Sequence, residues 1–331
     1  MPVDSLKIAK FTPSYVWPNP AFHFRHYFDH PNCRIFLIEN ITHNWVWLRE
    51  NAERIQSRDY FVVQLGWYFH DWLIDESCTV IELLGLSRDR FRILFNDPPS
   101  QALFESRGFQ GAMVNHNAFL DENLFTPSAV PKRYDAVYTA RFAPFKRHFL
   151  ARKVPRLALI AGENYGVSSE DIPAHDYLNE KPLSRDEVVA KVNEARTGLC
   201  LSQVEGACYS SSEYLLCGIP VVSTWCHGGR DVWYNDYNSI TCDASEEAVA
   251  ESVAKLGSMG RRPERIRDIH VQQAEGYRRN FINLIAGIFR ERGVREDADA
   301  HFRQHFHHKM ITSSKPLFDE IFPQDSSGAS G

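Results

Sequence analysis

Short apolar runs alternate with amphipathic segments along the first third of the chain, which is the pattern of strands alternating with helices. The apolar runs predict four strands, at residues 34–38, 60–65, 91–95 and 111–114. The segments between them predict three helices, at residues 45–57, 73–84 and 100–107. Residues 1–33 are aromatic and rich in proline, and little regular structure is predicted for them. Because strands that alternate with helices form parallel sheets covered by helices, the pattern predicts an α/β domain.

The alternation resumes after a proline-containing linker at residues 126–131. Five further strands are predicted, at residues 134–139, 157–161, 198–201, 221–224 and 239–242. Helices are predicted from a Ser184 cap to residue 196, and at residues 246–256 and 263–292. A second α/β domain is therefore predicted, and both domains are expected to be Rossmann-like and doubly wound.

Three polar clusters follow predicted strands of the first domain, at residues 66–71, 96–97 and 115–117. Parallel sheets bind ligands beyond the carboxyl ends of their strands, so these clusters are predicted to face an acceptor. His70 is the candidate for proton transfer, because imidazole titrates near working pH. The alternative is a hydrogen-bonded structural histidine beside Trp67 and Trp72.

Length and charge narrow the class of protein. The chain has 331 residues, enough for two domains, and a net charge of −5. It has no long basic run, so nucleic acid is not predicted as a partner. No apolar run is long enough to span a bilayer, and the N-terminus lacks the pattern of a signal peptide.

The seven cysteines show no CxxC pair and no zinc spacing. Single, reduced and mostly buried thiols of a cytoplasmic protein are therefore predicted.

Four histidines lie close together near the C-terminus: His301, His305, His307 and His308. The first two share a helical face by their spacing of four residues. No acidic or cysteine ligand pattern accompanies them, so an amphipathic helix with solvated histidines is predicted in preference to a metal site.

The stretch at residues 201–229 reads LSQVEGACYSSSEYLLCGIPVVSTWCHGG and predicts a loop, a helix start and a strand. A loop that leads into a helix offers backbone N–H groups and a positive dipole end to a phosphate, and Gly206 allows close approach. Glu205 and Glu213 frame this loop with seven residues between them, and a carboxylate can accept two sugar hydroxyls. Two alternatives remain: Ser210 and Glu213 have the spacing of a capping box, and Glu205 is a solvated loop charge.

This stretch resembles the signature of the retaining glycosyltransferases of family 4 and their relatives with the GT-B fold. That signature is a Glu, seven residues, a second Glu, and a small apolar helix that ends in Gly-x-Pro-Val-Val. The resemblance implies two Rossmann-like domains facing each other across a cleft, with a nucleotide-sugar donor on the second domain. It implies that Glu205 orients the donor sugar and that Glu213 binds the ribose. The donor-binding loop that it implies consists of Gly206, Ala207, Cys208, Tyr209 and Ser210.

Arg141 and Lys146 follow the predicted strand at 134–139 and resemble the family's Gly-Arg…Lys-Gly element. The resemblance implies that both cations hold the donor diphosphate, because fixed cations neutralise the charge that builds on a leaving phosphate. Arg147 stands where the family has glycine, and Arg147 and His148 are predicted to form a solvated basic turn.

Looser resemblances extend over other parts of the chain. Residues 117–127 resemble the family's passage into its second domain, and residues 227–231 resemble its glycine pair with a nearby acidic residue. Tyr177 or Leu178 is implied as the contact of the nucleotide base. The implied bounds are 1–127 for a short acceptor domain, 128–285 for the donor domain, 286–322 for C-terminal helices that pack back on the first domain, and 323–331 for a disordered tail.

The implied function is transfer of a hexosyl group from a nucleotide-diphosphate sugar to a hydroxyl of a carbohydrate, glycolipid or other lipid-linked or small-molecule acceptor. The resemblance implies retention of the anomeric configuration, a place in polysaccharide biosynthesis, and no metal or other cofactor. Peripheral membrane contact stays open, although the net negative charge disfavours purely electrostatic attachment. The oligomeric state is not predicted.

Two alternatives are a sugar-nucleotide epimerase on the same fold and a non-catalytic nucleotide-sugar-binding partner subunit. The short first domain suggests the latter. The presence of Arg141, Lys146, Glu205 and Glu213 favours an enzyme, because a scaffold would not need all four.

Overall fold

The computed structural model of the chain describes residues 5–16 and 24–311. These residues form two units. One consists of the chain up to His116 together with the chain from Arg279 onward, and the other is Asn117–Arg278. The predicted tail at 323–331 and the end of the predicted C-terminal segment after residue 311 lie outside the described residues. The bounds implied by the resemblance remain predictions.

The first unit is built on a single sheet. Its elements before the second unit are α1 (Ser5–Lys10), β1 (Phe24–His30), β2 (Cys33–Glu39), α2 (Trp45–Asn51), β3 (Asp59–Gln64), α3 (Asp71–Leu83), β4 (Phe91–Phe95), α4 (Pro98–Glu105) and β5 (Gln110–Met113). The strand order is β1-β2-β3-β4-β5, with β1 antiparallel to β2 and all other pairs parallel. The four strands and three helices predicted here are present.

Strand β1 corrects the prediction of little regular structure before residue 34. It pairs with β2 as a hairpin, and its register shifts between His26 and Phe28. That shift breaks the alternation of inward and outward side chains by which a strand is usually seen in a sequence. Because the hairpin partner supplies the hydrogen bonds, the strand forms although its own pattern does not indicate it.

The other face of the first sheet is covered by the C-terminal part of the chain, in the end of α8 (Pro263–Glu291), from Arg279 onward, and in α9 (Ala298–His305). Phe91 and Ile93 on β4 point into the core that contains α2, α3 and α4. Arg92 lies between them and therefore points the other way, where its guanidinium donates to the Glu291 carboxylate at 2.9 Å. The end of α8 thus returns to the first unit.

The second unit contains a six-stranded sheet. Its elements before α8 are β6 (Tyr134–Thr139), β7 (Leu157–Ile160), β8 (Tyr177–Leu178), α5 (Arg185–Asn193), β9 (Ala195–Cys200), α6 (Tyr209–Leu216), β10 (Val221–Thr224), β11 (Ser239–Cys242) and α7 (Glu246–Ser258). The strand order is β11-β10-β9-β6-β7-β8, and every pair is parallel. The chain builds the sheet outward from β6 in one direction and then from β9 in the other. The sheet is therefore doubly wound, with its reversal between β6 and β9.

Both faces of this second sheet are buried. Val221 packs with α5, α6 and the start of α8, whereas its neighbour Val222 packs with α7. The two predicted helix ends that differ by three residues or more are explained by local contacts. Helix α5 ends at Asn193, before the predicted residue 196, because Ala195 already pairs with β6. Helix α2 ends at Asn51, where the side-chain amide donates to the Trp47 carbonyl at 2.8 Å.

Tyr214 connects α6 to the middle of the second sheet. Its hydroxyl accepts a hydrogen bond from the Thr139 backbone N–H at 2.6 Å, at the end of β6. Its ring lies against Gly198 on β9, where an added Cβ would be 2.2 Å from a ring carbon. Glycine is therefore required at this position, and α6 is held close to the ends of the two central strands.

No helix in the described part of the chain combines the length and the apolar character that a membrane span requires.

Candidate functional site

The loops that follow β6 and β9 meet at the reversal of the second sheet. The Gln203 N–H donates to the Phe145 carbonyl at 3.1 Å, and the Arg147 Nε donates to the Leu201 carbonyl at 2.7 Å. Doubly wound sheets bind ligands at the carboxyl edge where the strand order reverses. Arg141, Lys146, Glu205 and the loop that leads into α6 all lie in these connections.

Lys146 and Glu205 form an ion pair at this edge. The Lys146 ammonium contacts the Glu205 carboxylate directly, and the two side chains are 13% and 5% exposed. Burial lowers the pKa of Lys146, but the Cys208 thiol and the Glu205 carboxylate raise it by more, so the pKa lies above its ordinary value. Lys146 is thus a fixed cation at neutral pH. The alternative in which Glu205 is a solvated loop charge is wrong.

The Glu205 backbone is held by the segment after β10. The Glu205 N–H donates to the His227 carbonyl at 2.9 Å. Gly228 has φ +107°, and a Cβ built on it would lie 1.8 Å from the Glu205 carbonyl oxygen. Glycine is needed at this position both for the backbone angle and for the close approach.

Helix α6 begins without a side-chain cap. Its N-cap is Cys208, which has φ +57°, a left-handed backbone conformation that residues other than glycine rarely adopt. Ser210 lies inside the first turn, so the alternative of a capping box between Ser210 and Glu213 is wrong. Glu213 is half-buried in the next turn of the same helix. Gly206 and Ala207 are buried, and Cys208, Tyr209 and Ser210 are half-buried.

Two cysteines that the sequence places in separate contexts are neighbours here. A hydrogen bond with the Cys200 thiol, opposed by burial, lowers the pKa of the Cys208 thiol to about 7. All seven cysteines are free thiols. The prediction of single, reduced thiols therefore misses this contact, which joins the end of β9 to the start of α6.

Arg141 is exposed and lies beside aromatic rings. Its guanidinium carbon is 4.9 Å from the centroid of Tyr165 and 5.7 Å from that of Phe145. The Lys146 ammonium lies 5.2 Å from the same Phe145 centroid. The two cations predicted to hold a diphosphate therefore share one aromatic neighbour.

Arg147 and His148 do not form the predicted solvated turn. The Arg147 guanidinium donates to the Leu201 carbonyl and, at 2.7 Å, to the Thr224 hydroxyl. His148 is buried against Tyr138, and burial lowers its pKa to about 4. Arg147 thus joins the segment that follows β9 to the end of β10, and the His148 ring packs in the core, roles that their polar character alone did not indicate.

Arg230 is buried at the centre of this edge, and its role is not predicted from the sequence. Its guanidinium donates to the carbonyls of Cys200 and Ser202, at 3.0 Å each, and to the carbonyl of Thr224. It also pairs with the Asp231 carboxylate at 2.7 Å. One side chain thus joins the ends of β9 and β10, although its position next to a glycine pair suggested only a loop.

Replacing Arg230 by methionine is expected to lower the free energy of unfolding by about 3 kcal/mol or more. The reason is that three buried carbonyls lose a charged donor, and each unsatisfied group costs about 1–3 kcal/mol. Urea denaturation of the purified variants measures this loss. The control is Arg152→Met, which removes exposed ion pairs and should cost less than about 1 kcal/mol. Equal losses in both variants would contradict the structural role of Arg230.

The predicted base contacts, Tyr177 and Leu178, form β8 at the edge of the sheet. The Tyr177 ring packs against Tyr134 at 6.3 Å between centroids, and the Lys191 ammonium lies 4.1 Å from its centre. These contacts do not join Tyr177 to the Lys146–Glu205 pair. Contact with a base remains a prediction.

His70 is exposed at the start of α3 in the first unit. Its ring is stacked on Trp72, with centroids 6.2 Å apart, and edge-on to Tyr68 at 4.9 Å. Its part in proton transfer remains a prediction.

The polar clusters at 96–97 and 115–117 are buried and mostly connect strand ends. The Asn96 amide donates to the Leu65 carbonyl at 2.7 Å, and its oxygen accepts the His116 N–H at 3.0 Å. Burial lowers the pKa of His116 to about 4. These side chains tie β3, β4 and β5 together, and their contact with an acceptor remains a prediction. Asn117 belongs to the second unit and contacts the loop before α6.

Among the described residues, no group of three or more His, Cys, Asp or Glu side chains is arranged to hold a metal ion. His301 and His305 share a face as predicted, with ring centroids 4.1 Å apart. His301 is half-buried rather than solvated, because its Nε2 lies 2.9 Å from the Tyr27 carbonyl.

Comparison with known proteins supports the fold. No protein-family model matches the chain, and no curated protein sequence matches it. HepE from Anabaena, solved in complex with UDP, superposes with a TM-score of 0.56 and 13% identity over 76% of this chain and 78% of that chain. TarM superposes with a TM-score of 0.55 and 10% identity over 76% of this chain and 54% of that chain. Sucrose-phosphate synthase from Thermosynechococcus elongatus superposes with a TM-score of 0.53 and 14% identity over 75% of this chain and 73% of that chain.

At these identities the likeness is one of fold. Together with the two mostly parallel sheets, it confirms the predicted α/β class with Rossmann-like units, as in the GT-B fold.

Proposed function

We propose that this chain is a retaining glycosyltransferase that moves a hexosyl group from a nucleotide-diphosphate sugar to an acceptor hydroxyl. The observation that carries the proposal is the buried Lys146–Glu205 pair at the strand reversal of the second sheet. A buried cation beside a loop that leads into a helix suits a phosphate, and a carboxylate beside it suits sugar hydroxyls. The likeness in fold to sucrose-phosphate synthase is consistent with this chemistry.

In this proposal the leaving diphosphate is held by the two cations and by backbone. Arg141 and Lys146 neutralise the charge that develops on the leaving phosphate, which is the largest electrostatic demand of the reaction. The loop at residues 207–210 adds backbone N–H groups. Because these groups meet the charge of the phosphate, the proposal requires no metal ion.

The ion pair has a second consequence for donor binding. Lys146 and Glu205 neutralise each other in a largely buried place. A diphosphate offers Lys146 a new anion, and Glu205 oxygens then become acceptors for hydroxyls of the donor sugar. Glu213 is proposed to bind the ribose, and Tyr177 or Leu178 the base. His70 is proposed to handle the acceptor proton, and a carbohydrate is the proposed acceptor class.

The experiment is a thermal-stability series with UDP, GDP, ADP and their sugar conjugates. A ligand that binds only the folded state stabilises it by about 2.7 kcal/mol at a hundredfold excess over its dissociation constant. Uridine nucleotides come first, because HepE was solved with UDP and glucose. We expect one nucleotide series to raise the melting temperature of the wild type and Glu213→Ala to lose that shift. The control, Glu251→Ala, changes an exposed glutamate on α7 and should keep it.

Each outcome separates the hypotheses. A rise in melting temperature that is lost in Glu213→Ala supports the donor site and identifies the nucleotide base. A donor sugar that is converted without any acceptor would favour the epimerase. If no nucleotide shifts the wild type, the glutamates are structural and the proposal fails.

A further inference from the structure

Asn117 makes three hydrogen bonds to the segment that carries the donor loop. Its side-chain nitrogen lies 2.8 Å from the Ala207 carbonyl, 3.0 Å from the Cys208 carbonyl and 2.9 Å from the Ser212 hydroxyl. The residue is 1% exposed. Two amide hydrogens thus serve three oxygens, and two of these oxygens belong to successive peptide groups. In the sequence, Asn117 follows a predicted strand of the first domain in a polar cluster predicted to face an acceptor, so this contact is unexpected.

Because the peptide bond is planar, the direction of each carbonyl also determines the direction of the next residue's N–H group. In a trans peptide, the C=O of one residue and the N–H of the next point to opposite sides. The Ala207 carbonyl points to Asn117, so the Cys208 N–H points away from it. The Cys208 carbonyl accepts from Asn117 and, at 3.1 Å, from the Ser211 N–H in the first turn of α6, so the Tyr209 N–H points away from both donors. Two successive N–H groups are therefore directed to the side opposite Asn117.

The backbone angle at Cys208 fits the same arrangement. Its φ of +57° is unusual for a residue other than glycine, and such strain persists only where surrounding contacts enforce it. Left-handed residues beside right-handed ones form concave groups of N–H donors that bind anions. The Lys146 ammonium contacts the carboxylate of Glu205, three residues before Cys208, so a cation is held by the same loop that carries these donors.

We infer that Asn117 is a positioning residue that aims the Cys208 and Tyr209 N–H groups at the diphosphate of the donor. The inference rests on the proposed function, because it takes a nucleoside diphosphate as the ligand. Asn117 does not touch the ligand itself. It holds two carbonyls on one side so that two donors stay on the other, and the site is set before the ligand arrives.

The test compares Asn117→Ala and Asn117→Asp with a matched control, Asn193→Ala. Asn193 is also 1% exposed in the second unit, and its amide donates to the Thr126 and Val189 carbonyls, both at 3.0 Å. Calorimetric titrations use the best-binding of UDP, GDP and ADP, its nucleoside, and pyrophosphate. Circular dichroism confirms that each variant is folded at the temperature of the titration.

Asn117→Ala should weaken the binding of the nucleoside diphosphate and of pyrophosphate by about 10- to 100-fold. This is the range expected when hydrogen bonds to a charged group are lost. Its affinity for the nucleoside should be unchanged. Asn117→Asp should lose at least as much, because its carboxylate repels both carbonyls. Asn193→Ala should keep the wild-type ratio of diphosphate to nucleoside affinity, although it lowers the melting temperature.

Several results would overturn the inference. If the wild type and Asn117→Ala bind the diphosphate equally, Asn117 does not position donors, and the proposed function stands. If Asn193→Ala loses as much affinity, the effect is one of general stability. If the wild type binds neither a nucleoside diphosphate nor pyrophosphate, both the inference and the proposed function fail.

A measurement on the wild type covers the case in which the Asn117 variants do not fold. In 15N-labelled protein, pyrophosphate should move the amide signals of Cys208 and Tyr209 more than those of the control stretch around Asn193. Unmoved signals at Cys208 and Tyr209 under saturating pyrophosphate would refute the inference.

Discussion

Lys146→Met is expected to slow glycosyl transfer strongly and to destabilise the protein by about 3–5 kcal/mol, the cost of removing one partner of a buried ion pair. The Glu205 carboxylate is 5% exposed and would remain without its cation. The transfer rate should fall by about 10²–10³, the usual effect of removing one group that stabilises charge in the transition state. Urea denaturation measures the first effect, and donor turnover measures the second.

The double variant Lys146→Met/Glu205→Gln separates stability from catalysis. It removes both charges, so it should recover most of the lost stability, because no uncompensated charge stays buried. Activity should not return. The control is Lys153→Met, which breaks the Lys153–Glu247 pair whose side chains are 51% and 62% exposed. An exposed pair should cost less than about 1 kcal/mol.

Two results would contradict this account. A Lys146→Met variant as stable as Lys153→Met would mean that the buried pair does not form in solution. A double variant with wild-type transfer would mean that the pair is structural, and the proposed function would lose its main support.

Gly228→Ala is expected to cost about 2–5 kcal/mol, the sum of a left-handed backbone penalty and of overpacking. The added Cβ would lie 1.8 Å from the Glu205 carbonyl oxygen, and φ at this residue is +107°. The Glu205 loop must therefore move, and donor binding should be lost with it. The measurements are urea denaturation and the thermal shift with the best nucleotide.

Gly260→Ala is the matched control for Gly228→Ala. Gly260 has φ +60° and no atom within 4 Å of the position of a Cβ. Its substitution should cost only the backbone penalty, about 1–2 kcal/mol, and should leave nucleotide binding unchanged. If both variants lose the same stability and both bind nucleotide, the contact between Gly228 and Glu205 has no role in the site.

Most of the fold could be predicted from the sequence because the signals of strands and helices are local. The runs at 91–95, 134–139 and 221–224 coincide with β4, β6 and β10. The helix cap at Ser184 forms as predicted, and Glu187 completes it with hydrogen bonds in both directions. Strand β1 was missed because a register shift hides its alternation.

The candidate site could be predicted only in part. The spacing of Glu205 and Glu213 and the positions of Arg141 and Lys146 after a strand are visible in the sequence. The buried state of Glu205 is not, because it depends on Lys146, which lies 59 residues earlier.

The alternation of strands and helices, the α/β class and the stretch around Glu205 could be predicted from the sequence, since each follows from neighbours along the chain. Which polar side chains are buried, and what they hold, depends on the tertiary structure. Asn117 contacts Ser212 across 95 residues, and Arg230 contacts Cys200 across 30. The physical reason is that burial and hydrogen bonding belong to pairs of residues brought together by the sheet. A spacing pattern records residues that are close in the chain, whereas these contacts form between strand ends that are far apart in it.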